Sequence, residues 1–175
     1  MGEVAPGWKL REVGYVNSCR SVVVVIAALL SLVAAAPLSA KPGWLTNFKE
    51  AQEQAKSGKK LVLLDFTGSD WCGWCIKLER EVFSKPAFKQ YAEKNLVLME
   101  IDFPKGKQLS STERAQNEQL AMQYGIEGFP TIILVDGDGK KVGQLSYESA
   151  LPENTREMKA SPEAFIASVE KLRKS

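Results

Sequence analysis

The sequence predicts an α/β domain, a central sheet of mixed strand direction covered by helices, and three observations carry this. Two short, nearly continuous apolar runs, 60–66 (KLVLLDF) and 96–101 (LVLMEI), have the pattern of strands buried on both faces. Stretches with apolar residues at helical spacing separate and flank them. A third run, 131–135 (TIILV), leads into Asp136-Gly137-Asp138-Gly139, a hairpin turn signal that brings in a further strand at 142–145.

The elements follow in order. Trp44, Phe48, Ala51 and Ala55 recur at helical spacing and predict a first amphipathic helix that stops at Gly58. The first strand, 60–66, follows at once. Residues 76–83 have helical character, and Ser84-Lys85-Pro86 restarts a helix carrying Phe88 and Tyr91. After the second strand, 103–112 (FPKGKQLSST) reads as a polar loop, with Lys105 and Lys107 as solvated charge. A helix is expected from about Glu113 to Tyr124, ended by Gly125. Ser161-Pro162-Glu163 combines an N-cap, an N1 proline and an acidic first turn, and opens a last helix with Phe165, Ile166, Val169 and Leu172 on one face. The order is αβα(α)βαββα, without internal repeats. Asp136-Gly137-Asp138-Gly139 has the look of a calcium loop, but the position that should hold a bidentate Glu is Tyr147, so it reads as a turn.

The chain has 175 residues, a net charge of +2, three cysteines and no histidine. Near-neutral charge gives no electrostatic reason to expect nucleic acid. The missing histidine excludes Ser-His-Asp and Cys-His catalysis, histidine-ligated metals and a histidine general base. Residues 1–40 read as a signal peptide: Lys9, Arg11 and Arg20 precede the uncharged run 21–36 (SVVVVIAALLSLVAAA), and small residues follow. Leu38-Ser39-Ala40 is an acceptable cleavage site, with Ala34-Ala35-Ala36 as a rival. An uncleaved anchor is the alternative, because the apolar stretch is just short of the roughly 17–25 residues that span a bilayer. Cleavage after Ala40 leaves 41–175 as one domain with twenty basic and nineteen acidic residues. Cys19 precedes the apolar run, is not placed as a lipobox cysteine, and leaves with the peptide. Only Cys72 and Cys75 then remain, too few for a disulfide scaffold.

Trp71-Cys72-Gly73-Trp74-Cys75 sits where a buried strand gives way to a helix. On a helix start the two thiols stand one turn apart and can close a small disulfide ring. The dipole and the unpaired N–H groups at that end favour thiolate over thiol at Cys72, lowering its pKa from about 8.5. Cys75, a turn deeper, is placed as the resolving thiol. Zinc within one chain fails for want of two further ligands. An exchange-active dithiol, an inert structural disulfide and a zinc clip between two chains remain open.

The run Asp65-Phe66-Thr67-Gly68-Ser69-Asp70-Trp71-Cys72-Gly73-Trp74-Cys75, with Gly128-Phe129-Pro130-Thr131 far downstream, resembles the thioredoxin superfamily. It is most similar to exported bacterial thioredoxin-like proteins of the kind found in the C-terminal domain of DsbD proteins, and the likeness covers about 43–175. It implies a thioredoxin fold and a thiol-disulfide oxidoreductase without metal or cofactor. Cys72 would attack and Cys75 resolve. Pro130 would be a cis-proline beside the dithiol, consistent with the confinement of cis peptides to X-Pro bonds. The Phe129 backbone would pair with an extended substrate, Trp71 would shield the disulfide, and Gly73 and Trp74 would line the contact surface. Asp65 would take the proton of the resolving cysteine. It stands seven residues before Cys72 where thioredoxins have six, which brings Asp70 forward as a rival. The lysine that thioredoxins often place near that aspartate corresponds here to Leu98, so desolvation is expected to raise the Asp65 pKa. Gly73-Trp74 departs from the Gly-Pro of thioredoxin and from the histidine dipeptides of oxidases and isomerases. Without that histidine charge on the thiolate, a comparatively reducing couple is expected.

These readings define an exported, periplasmic and monomeric enzyme that exchanges its dithiol with protein substrates and with a redox partner protein. Two alternatives stand beside it: a thioredoxin-fold binding or chaperone module, motivated by Trp71 and Trp74, and a membrane-tethered electron carrier if residues 21–40 are retained.

Overall fold

In the computed structural model, which describes residues 41–153 and 159–174, four strands form one sheet. They are β1 (Leu61–Thr67), β2 (Leu96–Asp102), β3 (Thr131–Val135) and β4 (Lys141–Leu145), in the spatial order β2-β1-β3-β4. β1 runs parallel to β2 and antiparallel to β3, and β3 and β4 form an antiparallel hairpin. The register sets Asp65 opposite Glu100 on one side and Ile132 on the other. The targeting segment expected at residues 1–40 lies outside the described residues. Among those described, no helix is long and apolar enough to cross a membrane.

Because side chains alternate across a strand, β1 buries its residues in two separate cores. Val62, Leu64 and Phe66 pack with Val97, Met99, Ile101, Ile133 and Val135 under helices α1 (Phe48–Gly58) and α4 (Ser111–Tyr124). Leu63, Ile132 and Leu134 face the other way. That second core is closed by α2 (Gly73–Leu78) with its continuation 79–83, by α3 (Pro86–Asn95) and by α5 (Pro162–Arg173). Phe83, Phe88 and Phe165 meet there, with ring centroids 4.9, 5.5 and 5.9 Å apart. Each fully buried ring contributes about 1.5–3 kcal/mol of transfer free energy, which anchors α2 at its far end and so fixes the end that bears the cysteines.

Three local expectations need correction. Trp44 is not part of the first helix: Asn47 caps it, accepting from the Glu50 N–H, and Trp44 is buried in the opposite core beside Phe83. That helix ends at Gly58, as expected, and Lys59 after it takes the left-handed conformation (φ 51°). Ser110 caps α4 through its hydroxyl, so the helix starts at Ser111, within the stretch read as loop. At the start of α3 the cap position is Lys85, with no side-chain cap; the Ser84 hydroxyl instead donates back to the Arg80 carbonyl. The end of the stretch expected to be helical, Glu79–Phe83, takes a π-helical turn, and a 3-10 turn at Tyr147–Ala150 had no counterpart in the sequence reading. The turn after β3 is an Asx turn, in which Asp136 Oδ1 accepts from the N–H groups of Asp138 and Lys140.

Candidate active site

β1 ends at Thr67, the chain turns through Gly68-Ser69-Asp70, and α2 begins immediately after Cys72. Cys72 and Cys75 are joined by a disulfide with their Cα atoms 5.2 Å apart. Cys72 occupies the N-cap position, and its sulfur accepts the Cys75 N–H at 3.2 Å. An N–H donor at that sulfur is of the kind that stabilises a thiolate more than a thiol. Cys72 is 7% exposed and Cys75 5%, so a partner can approach only along a narrow front.

The turn before the cysteines is tied to the loop after β2. Asp102 accepts from both the Ser69 N–H (2.9 Å) and the Ser69 hydroxyl (2.7 Å), and Lys107 pairs with the same carboxylate. Asp70 is exposed and accepts from the Lys105 and Gly106 N–H groups, which hold its carboxyl below the usual range. Asp70 is therefore a loop clamp directed at 105–106. The extra residue in this turn is accommodated by these bonds.

Trp71 stands at 41% exposure but is held from four sides. Its Nε1 donates to the Phe103 carbonyl (2.7 Å), its ring meets Phe129 edge-on at 5.9 Å, and the Lys105 ammonium lies 4.1 Å from the ring centre. Gly68 forms the floor: a Cβ there would stand 2.5 Å from the indole. Phe129 also stacks on Phe103 at 5.2 Å, and the Phe129–Pro130 peptide bond is cis. The structure thus brings the Phe129–Pro130 loop to Trp71 at the mouth of the dithiol. Gly73 is exposed. Trp74 is 51% exposed, lies 4.9 Å from the Tyr147 ring, and shares with it the Lys77 ammonium, 5.0 Å from each ring centre. Tyr147 is itself fixed by donating to Glu81 Oε2 (2.7 Å).

Asp65 lies on the α2 side of the sheet and is 3% exposed. Burial pushes its carboxyl up from the ordinary 3.8 to about 7; Lys41 opposes this, and Glu100, Glu79 and Asp102 reinforce it. Its Oδ1 has no hydrogen-bond partner among the described residues. The Lys41 ammonium stands 3.7 Å from Asp65 Oδ2, 2.9 Å from Glu100 Oε1 and 3.0 Å from Glu79 Oε2. Glu79 follows Cys75 by one helical turn, and its N–H bonds to the Cys75 carbonyl. Burial works against charge on Lys41, yet the three carboxylates together hold its ammonium above the usual lysine value. One cation is shared among three carboxylates, two of them buried. Asp65, the most distant of the three from the ammonium, is the one whose carboxyl burial pushes up to about 7.

Lys41, Glu79 and Glu100 were not singled out by sequence. Glu100 carried a signal: it interrupts a buried apolar run just as Asp65 does in its own strand, and parallel pairing sets the two side by side. Lys41 and Glu79 had none. Among the described residues no cluster of Cys, Asp and Glu is arranged to hold a metal ion.

A mixed sheet flanked by helices, with a Cys-x-x-Cys disulfide at the end of its first strand, defines a thioredoxin-like protein. Residues 48–156 match the family model of the thioredoxin-like domain, and the chain belongs to that family. It is 35% identical over 112 residues to the disulfide bond reductase DsbH of Chlamydia pneumoniae, across 64% of this chain and 68% of that protein. It is 32% identical over 107 residues to the thiol:disulfide interchange protein DsbD of Actinobacillus pleuropneumoniae serotype 5b (strain L20), 60% of this chain but 17% of that one. A solved structure of a DsbH oxidoreductase superposes with a TM-score of 0.65 at 30% identity, covering 82% of this chain and 92% of the other. The chain is accordingly an enzyme of the thiol-disulfide oxidoreductase class, with Cys72 and Cys75 as its Cys-x-x-Cys pair.

Proposed function

We propose that the protein is an exported disulfide reductase acting on protein substrates. The observation that carries this is the Cys72–Cys75 pair, with the Cys75 N–H on the Cys72 sulfur, at a mouth formed by Trp71 and the Phe129–Pro130 loop. In the reduced enzyme the Cys72 thiolate attacks a substrate disulfide, forming one S–S bond and releasing one substrate thiolate. Cys75 then loses its proton and attacks the Cys72 sulfur, closing the enzyme disulfide and releasing the second substrate thiolate. The enzyme loses two electrons and the substrate gains them; a redox partner protein returns the pair to the dithiol. Asp65 receives the Cys75 proton, a role suited to a carboxyl whose value lies near 7. The reducing direction is supported by the absence of histidine between the cysteines and by the likeness to a protein named as a disulfide bond reductase. Substrate contact falls to Trp71, Gly73, Trp74 and the Phe129 backbone, with Pro130 shaping the loop.

Export rests on the residue 1–40 pattern, with cleavage after Ala40, so that N-terminal sequencing of the exported protein begins at Lys41; retention of 21–40 would make it a tethered carrier. For the chemistry, Cys75→Ser is expected to accumulate a mixed disulfide with a reducible protein such as insulin, and Cys72→Ser to abolish exchange. Unchanged exchange in Cys72→Ser overturns the mechanism. Full biological activity in the double serine variant would instead mark a binding module.

A further inference from the structure

We propose that Lys41 is a positioning residue for this chemistry: its ammonium supplies, from outside the strands, the positive charge that governs when Asp65 can take the Cys75 proton. The proposal rests on the role for Asp65 given above.

The route by which residue 41 reaches the site is a sequence of ordinary contacts. Leu45 forms a single parallel bridge to Met99, donating to the Leu98 carbonyl (2.8 Å) and accepting from the Glu100 N–H (2.9 Å). The segment therefore lies along the outer edge of β2, level with Glu100. Trp44 is sunk against Phe83, and its N–H closes a turn onto the Lys41 carbonyl (2.9 Å). That turn folds Lys41 back, with its ammonium 4.9 Å from the Trp44 ring centre and inside the triangle of Asp65, Glu100 and Glu79. Leu98, where a lysine was looked for, is a partly buried member of the apolar core. The cation comes from a different element.

Among the described residues, the charges that act on Asp65 are Lys41, Glu100, Glu79 and Asp102. β2 brings Glu100 and Asp102; Asp102 is paired with Lys107 and accepts from Ser69, and still adds to the upward push on Asp65. The turn after α2 brings Glu79. Glu81, from that same turn, is directed away to Tyr147 and the Ala160 N–H. Lys41 is the cation that pairs with Asp65, Glu100 and Glu79 together. A carboxylate losing an opposite charge at this distance becomes harder to ionise, because in a buried site little solvent takes the place of the cation. Without the ammonium, Asp65 stays protonated to higher pH and accepts no proton from Cys75. The enzyme then stalls at the mixed disulfide until more alkaline conditions.

The test is the pH profile of insulin reduction by the purified protein, with the Asp65 carboxyl followed by carbon NMR. Lys41→Met and Lys41→Gln, the second keeping a hydrogen-bonding head so that the fold is preserved, are expected to move the acidic inflection and the carboxyl titration up by about one pH unit, a tenfold change. Lys41→Arg, which keeps the charge, is expected to restore the original profile. A structural tether alone would lower stability in all three variants without moving the inflection. If either neutral variant folds and titrates where the unsubstituted protein does, the proposal is overturned. Asp65→Asn separates the two ideas: if it keeps the inflection, the Asp65 reading fails, whereas its loss together with an unmoved neutral variant removes Lys41 alone.

Discussion

Asp65→Asn should flatten the pH dependence of stability. A carboxyl whose folded value lies above its unfolded one binds more protons when folded. It therefore stabilises fully below about 3.8, and that contribution is lost as pH rises through about 7. At 1.36 kcal/mol per unit, a rise from 3.8 to about 7 removes about 2–3 kcal/mol between pH 5 and pH 8. The Lys41 side chain does not titrate in this window, since its three carboxylates hold it charged into the alkaline range. Working with the oxidised protein keeps the cysteines from titrating as well. Urea unfolding at pH 5 and pH 8 reads the effect, and with a slope of about 1–3 kcal/mol/M the midpoint should fall by about 1 M or more. The Asn variant, with an amide of the same shape and no charge to desolvate, should show little of that fall and be the more stable protein at pH 8. An Asn variant that loses stability as steeply as the parent would refute the assignment of Asp65 as the buried titrating group.

Other outcomes follow from the same contacts. Gly68→Ala puts a methyl 2.5 Å from the indole of Trp71, so the ring must leave its bond to Phe103. We expect a shifted indole N–H resonance, slower reduction of insulin, and a loss of about 1–3 kcal/mol in urea unfolding; an unmoved resonance contradicts this. Tyr147→Phe keeps the ring against Trp74 but removes the O–H given to Glu81. It should lose about 1–3 kcal/mol of stability with little change in Trp74 fluorescence, whereas Tyr147→Ala should alter both.

The parts of the site visible in the sequence are those whose chemistry is local. Cys72 and Cys75 are three residues apart on one helix start, and the spacing alone sets them within disulfide reach. The strand runs were equally visible, because burial on both faces leaves an apolar signature whatever lies above. Trp44 was misplaced since its spacing from Phe48 fits a helix, while the Asn47 cap and the Leu45 bridge to β2 decide otherwise. The charge cluster was hidden for a different reason. Lys41, Asp65, Glu79 and Glu100 come from four separate segments, and only the β1–β2 register and the turn at 41–44 make them neighbours. A lysine sought at Leu98 was sought on the wrong element. The physical requirement for a cation was sound, but nothing local marks the residue that meets it.

The exchangeable, comparatively reducing character proposed for the Cys72–Cys75 pair is read from its equilibrium against reduced and oxidised glutathione. Complete equilibration is expected, with a potential nearer the about −270 mV of thioredoxin than the about −120 mV of a strong thiol oxidase. A value close to the latter would contradict the reducing direction, and a disulfide that never equilibrates with glutathione would contradict the mechanism itself.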